Sequence, residues 1–348
     1  MQVVLLGAGQ RPIPPAGHGG IERFVGDLAA ALRGAGHGVV VVNEGPSGLY
    51  ADGWAFARSL LRRIPGAAAD DAVVHANTSE AAIVLGLAGR PYVYTTHFPR
   101  WEDPTALRDR AKESLAVRWA AASTGFTPAL VDRLRGVRAR RGEVVEIPLG
   151  VDTDRFCPGA SARERVALGV GEVHPRKRWP IAARAARRAG VPFRLIGPIA
   201  DRSLADALAD EGAELLGEVP VSRLLSELQA ARVLLHPSDR EAMPGAVLQA
   251  LACGTPVAGG GTLAGISGPL AAPSDDARAV EEHLVSVLRR LLADPEEARR
   301  EGVRARAAAV DRYAWPVVIA RYEAVYRRCT GGGPWLRAAR RVSSRART

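Results

Sequence analysis

Lysine is almost absent from this chain: Lys112 and Lys177 stand alone among 348 residues, so 45 of the 47 basic residues are arginines. Alongside abundant alanine, that skew reads as a codon bias of the whole genome. It dilutes the meaning of any one arginine and makes a lysine inside a motif unusually informative. Cysteine is scarce too. Cys157, Cys253 and Cys329 have neither paired nor metal-ligand spacing, which excludes a disulfide-stapled miniprotein and a zinc cluster and suggests free thiols in a reducing compartment. Long apolar runs are missing: no stretch reaches ~18 apolar residues free of charge, and neither a basic segment nor a ~10-residue apolar segment precedes the first strand at Gln2. The expectation is a cytoplasmic chain, neither secreted nor membrane-spanning.

What is present is enough for two cores. The length corresponds to roughly two domains, and 47% hydrophobic content excludes a disordered chain. The apolar run Val3 to Leu6 leads into a Gly/Pro loop, Gly7 to Gly20. A helix follows, with Ile21, Val25, Leu28, Ala29 and Leu32 on one face. After Gly34 to Gly38 comes a second buried strand, Val39 to Val42. Continuous apolar strands alternating with helices imply a parallel sheet covered on both faces. The rhythm continues through strands Ala72 to His75, Tyr92 to Thr96, Ala122 to Thr127 and Val144 to Pro148, with helices at 79–87 and 105–121.

A second series has strands Val166 to Val170, Phe193 to Ile196, Glu214 to Leu216, Val233 to His236 and Pro256 to Gly259. The fold class is therefore α/β, with two doubly wound domains: 1–155, 156–310, a terminal helix over 311–330, and a basic tail, 331–348. In such folds a ligand sits in the crevice beyond the carboxyl ends of the strands.

The most specific segment is Pro237 to Val257, PSDREAMPGAVLQALACGTPV. Glu241 falls just ahead of a helix predicted over Gly245 to Ala252, where the helix dipole favours a carboxylate and free N–H groups can bind an anion. From that local pattern alone Glu241 is equally readable as a helix-capping acid. The segment closely resembles the retaining nucleotide-sugar glycosyltransferases of glycosyltransferase family 4, whose hallmark is Glu, seven residues, Glu, ahead of an Ala-Cys-Gly-Thr-Pro-Val turn. The resemblance implies the GT-B fold, with the terminal helix crossing back to the first domain. It also implies that Glu241, Met243, Pro244 and Gly245 meet the donor sugar. Gln249 stands where the family's second Glu holds the ribose, and it can still hydrogen-bond but carries no charge. A thymidine-type donor lacking the ribose 2′-hydroxyl therefore joins UDP- and GDP-sugars as a candidate.

The resemblance recurs in order along nearly the whole chain. Gly19-Gly20-Ile21-Glu22 is similar to the family's Gly-Gly-x-Glu, a backbone cradle for donor phosphates or acceptor. Gly7-Ala8-Gly9 starts like a dinucleotide fingerprint, but Pro12 occupies the third glycine position and rules that out. His97, ending the strand Tyr92 to Thr96, matches the histidine that reaches the donor sugar. Ile147 to Phe156 resembles the family's interdomain Pro-Asn-Gly-Val-Asp-x-x-x-Phe, with Leu149 in place of Asn. Asp152-Thr153-Asp154 imitates the Asp-x-Asp metal motif of another transferase fold. Its place at the connection argues against metal binding, and no catalytic ion and no cofactor beyond the sugar donor are expected.

Gly171 to Lys177 aligns with the family's Gly-Arg, four residues, Lys. Lys177 matches the lysine that neutralises the donor diphosphate. Glu172 occupies the family's arginine position and would repel phosphate; either Arg176 takes over or donor affinity is weakened. Val219, in Leu216-Gly217-Glu218-Val219, matches a loop that contacts the base. Gly259 to Ala264 lacks the acid that the family carries beside the donor.

The implied activity is retaining transfer of a hexose-type sugar from a nucleotide-diphospho-sugar to an acceptor hydroxyl. His97, Glu241 and Lys177 are the catalytic candidates. An antibiotic-like small-molecule acceptor is favoured over a cell-envelope lipid or polysaccharide. The rival class is a binding subunit whose donor site has decayed, motivated by Glu172, Gln249 and the missing acid near Gly261. The net charge of +10 does not indicate a nucleic-acid partner: seven arginines and no acid lie between Arg327 and Thr348, leaving about +3 for the rest. The tail reads as a solvated end, or as a weak membrane-surface segment carrying Trp335, Ala338, Ala339 and Val342 on one face.

Overall fold

The computed structural model describes residues 1–15, 19–45, 48–67, 72–97, 106–137, 142–266 and 268–330. The basic tail at 331–348, with its candidate membrane-surface face, lies outside the described residues, as do 98–105, which follow His97. By their contacts the residues separate into two units, Met1–Leu149 joined by the segment from Pro316, and Gly150–Trp315.

The first unit runs β1 (Gln2–Leu6), α1 (Gly20–Gly34), β2 (Gly38–Val42), α2 (Gly53–Ala67), β3 (Val73–Ala76), α3 (Ser79–Leu87), β4 (Val93–Thr95), α4 (Leu107–Trp119), β5 (Ala122–Gly125), α5 (Pro128–Gly136) and β6 (Glu143–Glu146). Its strands are all parallel, in the order β2-β1-β3-β4-β5-β6. Strand β1, flanked on both sides, buries Val3, Val4, Leu5 and Leu6 almost completely, each worth about 1.5–3 kcal/mol of burial. Phe56, Leu60 and Ile64 of α2, Ala82 and Leu85 of α3, and Ala116 and Val117 of α4 share one core with these strands.

The second unit runs β7 (Ala167–Val170), α6 (Trp179–Ala189), β8 (Phe193–Ile196), α7 (Arg202–Asp210), β9 (Ala213–Gly217), α8 (Val221–Ala230), β10 (Val233–His236), α9 (Gly245–Ala252), β11 (Val257–Gly259), β12 (Leu270–Ala271), α10 (Ala277–Ala293) and α11 (Pro295–Ala308). Its parallel sheet has the order β12-β11-β10-β7-β8-β9. Trp179, fully buried at the start of α6, anchors the core beneath the ends of β7 and β10. Many of the arginines serve surface ion pairs: Arg184 and Arg188 of α6 reach Glu281 of α10 at 2.8 and 2.9 Å.

The chain ends otherwise than the pattern over 311–330 suggested. A π-helical turn, Ala309–Tyr313, is followed by extended Ala314 and then by α12 (Trp315–Thr330). Pro316 has no N–H to return into a preceding turn, so the helix must restart there. The division between units also falls at Leu149/Gly150 and Trp315/Pro316. It is held on the second unit's side by the Val151 N–H, which donates to Tyr313 O at 2.8 Å. There is room for only glycine at position 150, because a Cβ would lie 2.4 Å from the Trp315 ring. From Pro316 onward α12 packs within the first unit, where the Tyr326 hydroxyl meets His75 Nδ1 at 2.8 Å and His75 Nε2 meets Thr95 Oγ1 at 2.7 Å.

Candidate active site

In the second unit the chain leaves β7 for β8 and β9, then returns to lay β10 on the opposite side of β7. At such a reversal the two loops diverge and open a crevice at the carboxyl ends of the strands. Both family-like motifs are on those loops. After β7, Gly171 to His174 lead into a 3-10 turn, Pro175–Lys177. Arg178 then adopts a left-handed conformation (φ 56°) that swings the chain into α6, and its guanidinium donates to Asp275 O at 2.8 Å. The crossing is tight: a Cβ on Gly197 would lie 2.0 Å from Gly171 O, so the loops after β7 and β8 pass only because that residue is glycine.

The loop after β10 brings Glu241 to meet them. Glu241 Oε1 accepts from Lys177 Nζ at 2.5 Å, Ser238 Oγ at 2.9 Å and Arg176 Nη1 at 3.2 Å. The Lys177 and Glu241 side chains are each only 12% exposed, so the charges face one another with little water between them. Burial alone would oppose the charge on Glu241, but the polar groups gathered on it, Lys177 among them, outweigh burial and hold the carboxyl well below the usual carboxylate range. Beyond Glu241 the loop buries Met243, and Pro244 opens α9 with no side chain capping its first turn. Gly245 and half-buried Gln249 lie on that helix. Helix α9 thus leaves N–H groups available for an anion.

Not every candidate joins this cluster. Val219 lies past the edge strand β9, and Glu172 is half-buried on the β7 loop, lending its carbonyl to Trp179 Nε1 at 2.8 Å. Asp152 Oδ1 accepts from the N–H groups of Asp154 and Arg155 at 3.1 and 2.9 Å, so it acts as a local turn cap. Among the described residues no three His, Cys, Asp or Glu side chains gather as metal ligands.

Gly19, Gly20 and His97 belong to the first unit. Gly19 caps α1 where a Cβ would meet Glu22 Oε2 at 2.8 Å, whereas Gly20 faces open space. His97 Nε2 pairs with Asn77 Oδ1 at 2.9 Å, its ring edged by Phe24 and Phe126. Desolvation lowers its pKa to about 3, so the imidazole is neutral. His97 lines a polar pocket of about 350 Å³ together with Ile21, Asn77, Thr78, Ser79, Glu80, Tyr94, Asp109, Arg110 and Glu113.

Sequence reasoning missed the charges of that pocket. Lys112 Nζ donates to Glu80 Oε1 at 2.6 Å and pairs with Asp109 at 2.9 Å. Glu113 accepts from the Thr96 hydroxyl at 2.6 Å and the Tyr94 hydroxyl at 2.7 Å, while burial raises its pKa. The signal was available: Lys112 is the other lysine, and the rarity that singled out Lys177 applied to it equally. His236 and Ser238, behind Glu241, were legible only as the residues opening the loop.

Two doubly wound units, each a parallel six-stranded sheet, define an α/β protein of the GT-B type. The family model "Glycosyltransferase Family 4" matches residues 18–155, and "Glycosyl transferases group 1" matches 164–290. The chain belongs to glycosyltransferase family 4. It is 34% identical over 207 residues to a D-inositol 3-phosphate glycosyltransferase of Mycobacterium avium (strain 104), covering 51% of this chain and 48% of that protein. It is 28% identical over 307 residues to a 2-deoxystreptamine N-acetyl-D-glucosaminyltransferase of Streptomyces fradiae, covering 75% and 72%. The chain thus spans about half the length of the inositol 3-phosphate relatives it matches. Anabaena HepE, solved in complex with UDP and glucose, superposes with a TM-score of 0.70 at 18% identity, covering 93% of this chain and 98% of HepE, a likeness of fold. Among the described residues no helix is long and apolar enough to cross a membrane.

Proposed function

We propose that the chain is a retaining, metal-independent glycosyltransferase. Its second unit holds a nucleotide-diphospho-sugar and its first unit binds a small polyhydroxylated acceptor. The observation that carries the donor half is the convergence of Lys177 and Arg176 on Glu241 at the β7/β10 switch point. These are the cations a diphosphate requires, beside an acid able to meet sugar hydroxyls. The acceptor half rests on the pocket around Glu80, Asp109 and Glu113, whose lining suits vicinal hydroxyls rather than an apolar chain. Inositol phosphate and 2-deoxystreptamine, the acceptors named for the two relatives, are both cyclitols. The glycosidic bond to the leaving diphosphate breaks as the acceptor oxygen bonds the anomeric carbon on the same face. The acceptor proton passes to the departing phosphate oxygen. Catalysis then consists of positioning and of charge stabilisation by Lys177 and Arg176, with Glu241 and His97 orienting the sugar.

Calorimetry with UDP-, GDP- and dTDP-sugars, followed by mass spectrometry of mixtures with cyclitol, amino-sugar and lipid acceptors, tests this reading. One donor should bind and glycosylate a cyclitol or amino sugar, and NMR of the product should show the donor's anomeric configuration. Binding of none of the three would favour the decayed-site alternative that Glu172 motivates. Glu80→Gln, which severs the pair with Lys112, is expected to raise the acceptor KM by ~10-fold or more, the scale of a charge-assisted hydrogen bond. Donor affinity should be unchanged, and a shift in donor affinity instead would remove this pocket from the acceptor site.

A further inference from the structure

His236 ends β10 with only 1% of its surface exposed, and neither ring nitrogen has a hydrogen-bond partner among the described residues. Its ring sits edge-on to Trp179, with centroids 6.3 Å apart. Leaving such an imidazole unsatisfied inside a protein is unfavourable, and a phenyl ring would pack the same space without that cost. The carboxylate of Glu241 explains what the imidazole offers. His236 Nε2 lies 3.6 Å from Glu241 Oε1, just beyond hydrogen-bond reach, on the oxygen already engaged by Lys177, Arg176 and Ser238.

That oxygen and a diphosphate compete for the same cations. A donor that draws Lys177 and Arg176 onto its phosphates strips Glu241 of both charged partners while the carboxylate stays largely buried. Ser238 then remains as its one donor from the present set, and a carboxylate so left would be poorly oriented. A move of a few tenths of an ångström brings His236 Nε2 within range.

We infer that His236 is a positioning residue that takes over Glu241 Oε1 when the donor diphosphate captures Lys177 and Arg176, keeping the carboxylate aligned for the sugar. The inference rests on the donor reading above. No proton changes hands: the neutral imidazole donates Nε2–H and the carboxylate accepts.

A double-mutant cycle on nucleotide affinity tests the hand-over without relying on turnover. UDP, GDP and dTDP are titrated calorimetrically into wild type, His236→Phe, Glu241→Gln and the double variant, using whichever nucleotide the wild type binds. His236→Phe should weaken binding ~10-fold in the wild-type background and less than ~2-fold beside Glu241→Gln, where no carboxylate is stranded. His236→Gln, which keeps an N–H near the Nε2 position, should restore affinity to within ~3-fold. The nucleotide-free His236→Phe protein should melt no lower than wild type, because it loses no hydrogen bond. Equal losses in both backgrounds, or no loss in either, would overturn the hand-over while leaving the donor reading intact. A wild type that binds none of the three nucleotides would overturn both.

Discussion

Truncation of Lys177 to alanine is expected to cut turnover by ~10²-fold or more, the scale of losing one preorganised charge contact with the transition state. Lys177 is 12% exposed and braced by Glu241, so its ammonium is aimed before any ligand arrives and little water screens it. The 3-10 turn that presents it is set by Pro175 and by the left-handed Arg178, which allows the truncation to act on charge more than on fold. Arg176 retains its own contact with Glu241, and this residual charge is why some activity should survive. Steady-state rates over a donor series check the expectation. A fall in kcat larger than the rise in donor KM would mark an interaction made mainly in the transition state. Wild-type rates in the variant would remove Lys177 from the mechanism.

Acid should destabilise the first unit well above the pH at which its carboxylates titrate. His75 and His97 are both held neutral: burial lowers each pKa from 6.5 to about 3, with His97 adding to the effect on His75. Between those values the unfolded imidazoles bind protons that the folded ones refuse. Stability is therefore complete above about pH 6.5 and is lost as pH falls through the window towards 3. Two such groups give a slope of up to about 2.7 kcal/mol per pH unit, a large share of an ordinary domain's stability of about 5–15 kcal/mol. Urea midpoints measured from neutral pH to about pH 4.5 should fall steeply, and His75→Gln should roughly halve the slope. A flat profile would show that these imidazoles are accessible to protons in the native state. Glu241 has the opposite character: its lowered pKa keeps it ionised across the same range, so the cluster around it should not lose that charge before the first unit fails.

Much of the framework was legible because it depends on neighbours in sequence. The runs Val3 to Leu6 and Val233 to His236 are apolar enough to demand burial on both faces, and helices at 79–87 and 245–252 emerged with the expected bounds. Helix α2 was passed over although Phe56, Leu60 and Ile64 bury at helical spacing. The terminal helix was drawn unbroken from residue 311, whereas Pro316, with no N–H to bond back into a preceding turn, fits the first turn of a helix that restarts after Ala314. In the site, Lys177, Arg176 and Glu241 were each visible as motif residues, and His97 as the end of a strand. That Lys177 and Arg176 meet Glu241, and that His97 meets Asn77, was not.

Most of the order and type of the elements follows from local patterns of apolarity, glycine and charge, whereas the link to glycosyltransferase family 4 came from the resemblance of whole motifs and from the family models that match the chain. Folding added the pairings. Lys177 meets Glu241 across 64 positions because the sheet order places β7 beside β10. Glu113 meets Thr96 and Tyr94 because α4 packs along β4, and His75 meets Tyr326 because α12 returns to the first unit. The same cause accounts for the orphaned nitrogens of His236. Periodicity reports which face of an element is buried, but whether a buried polar atom finds a partner depends on strand order and on distances of a few tenths of an ångström, which no local pattern encodes.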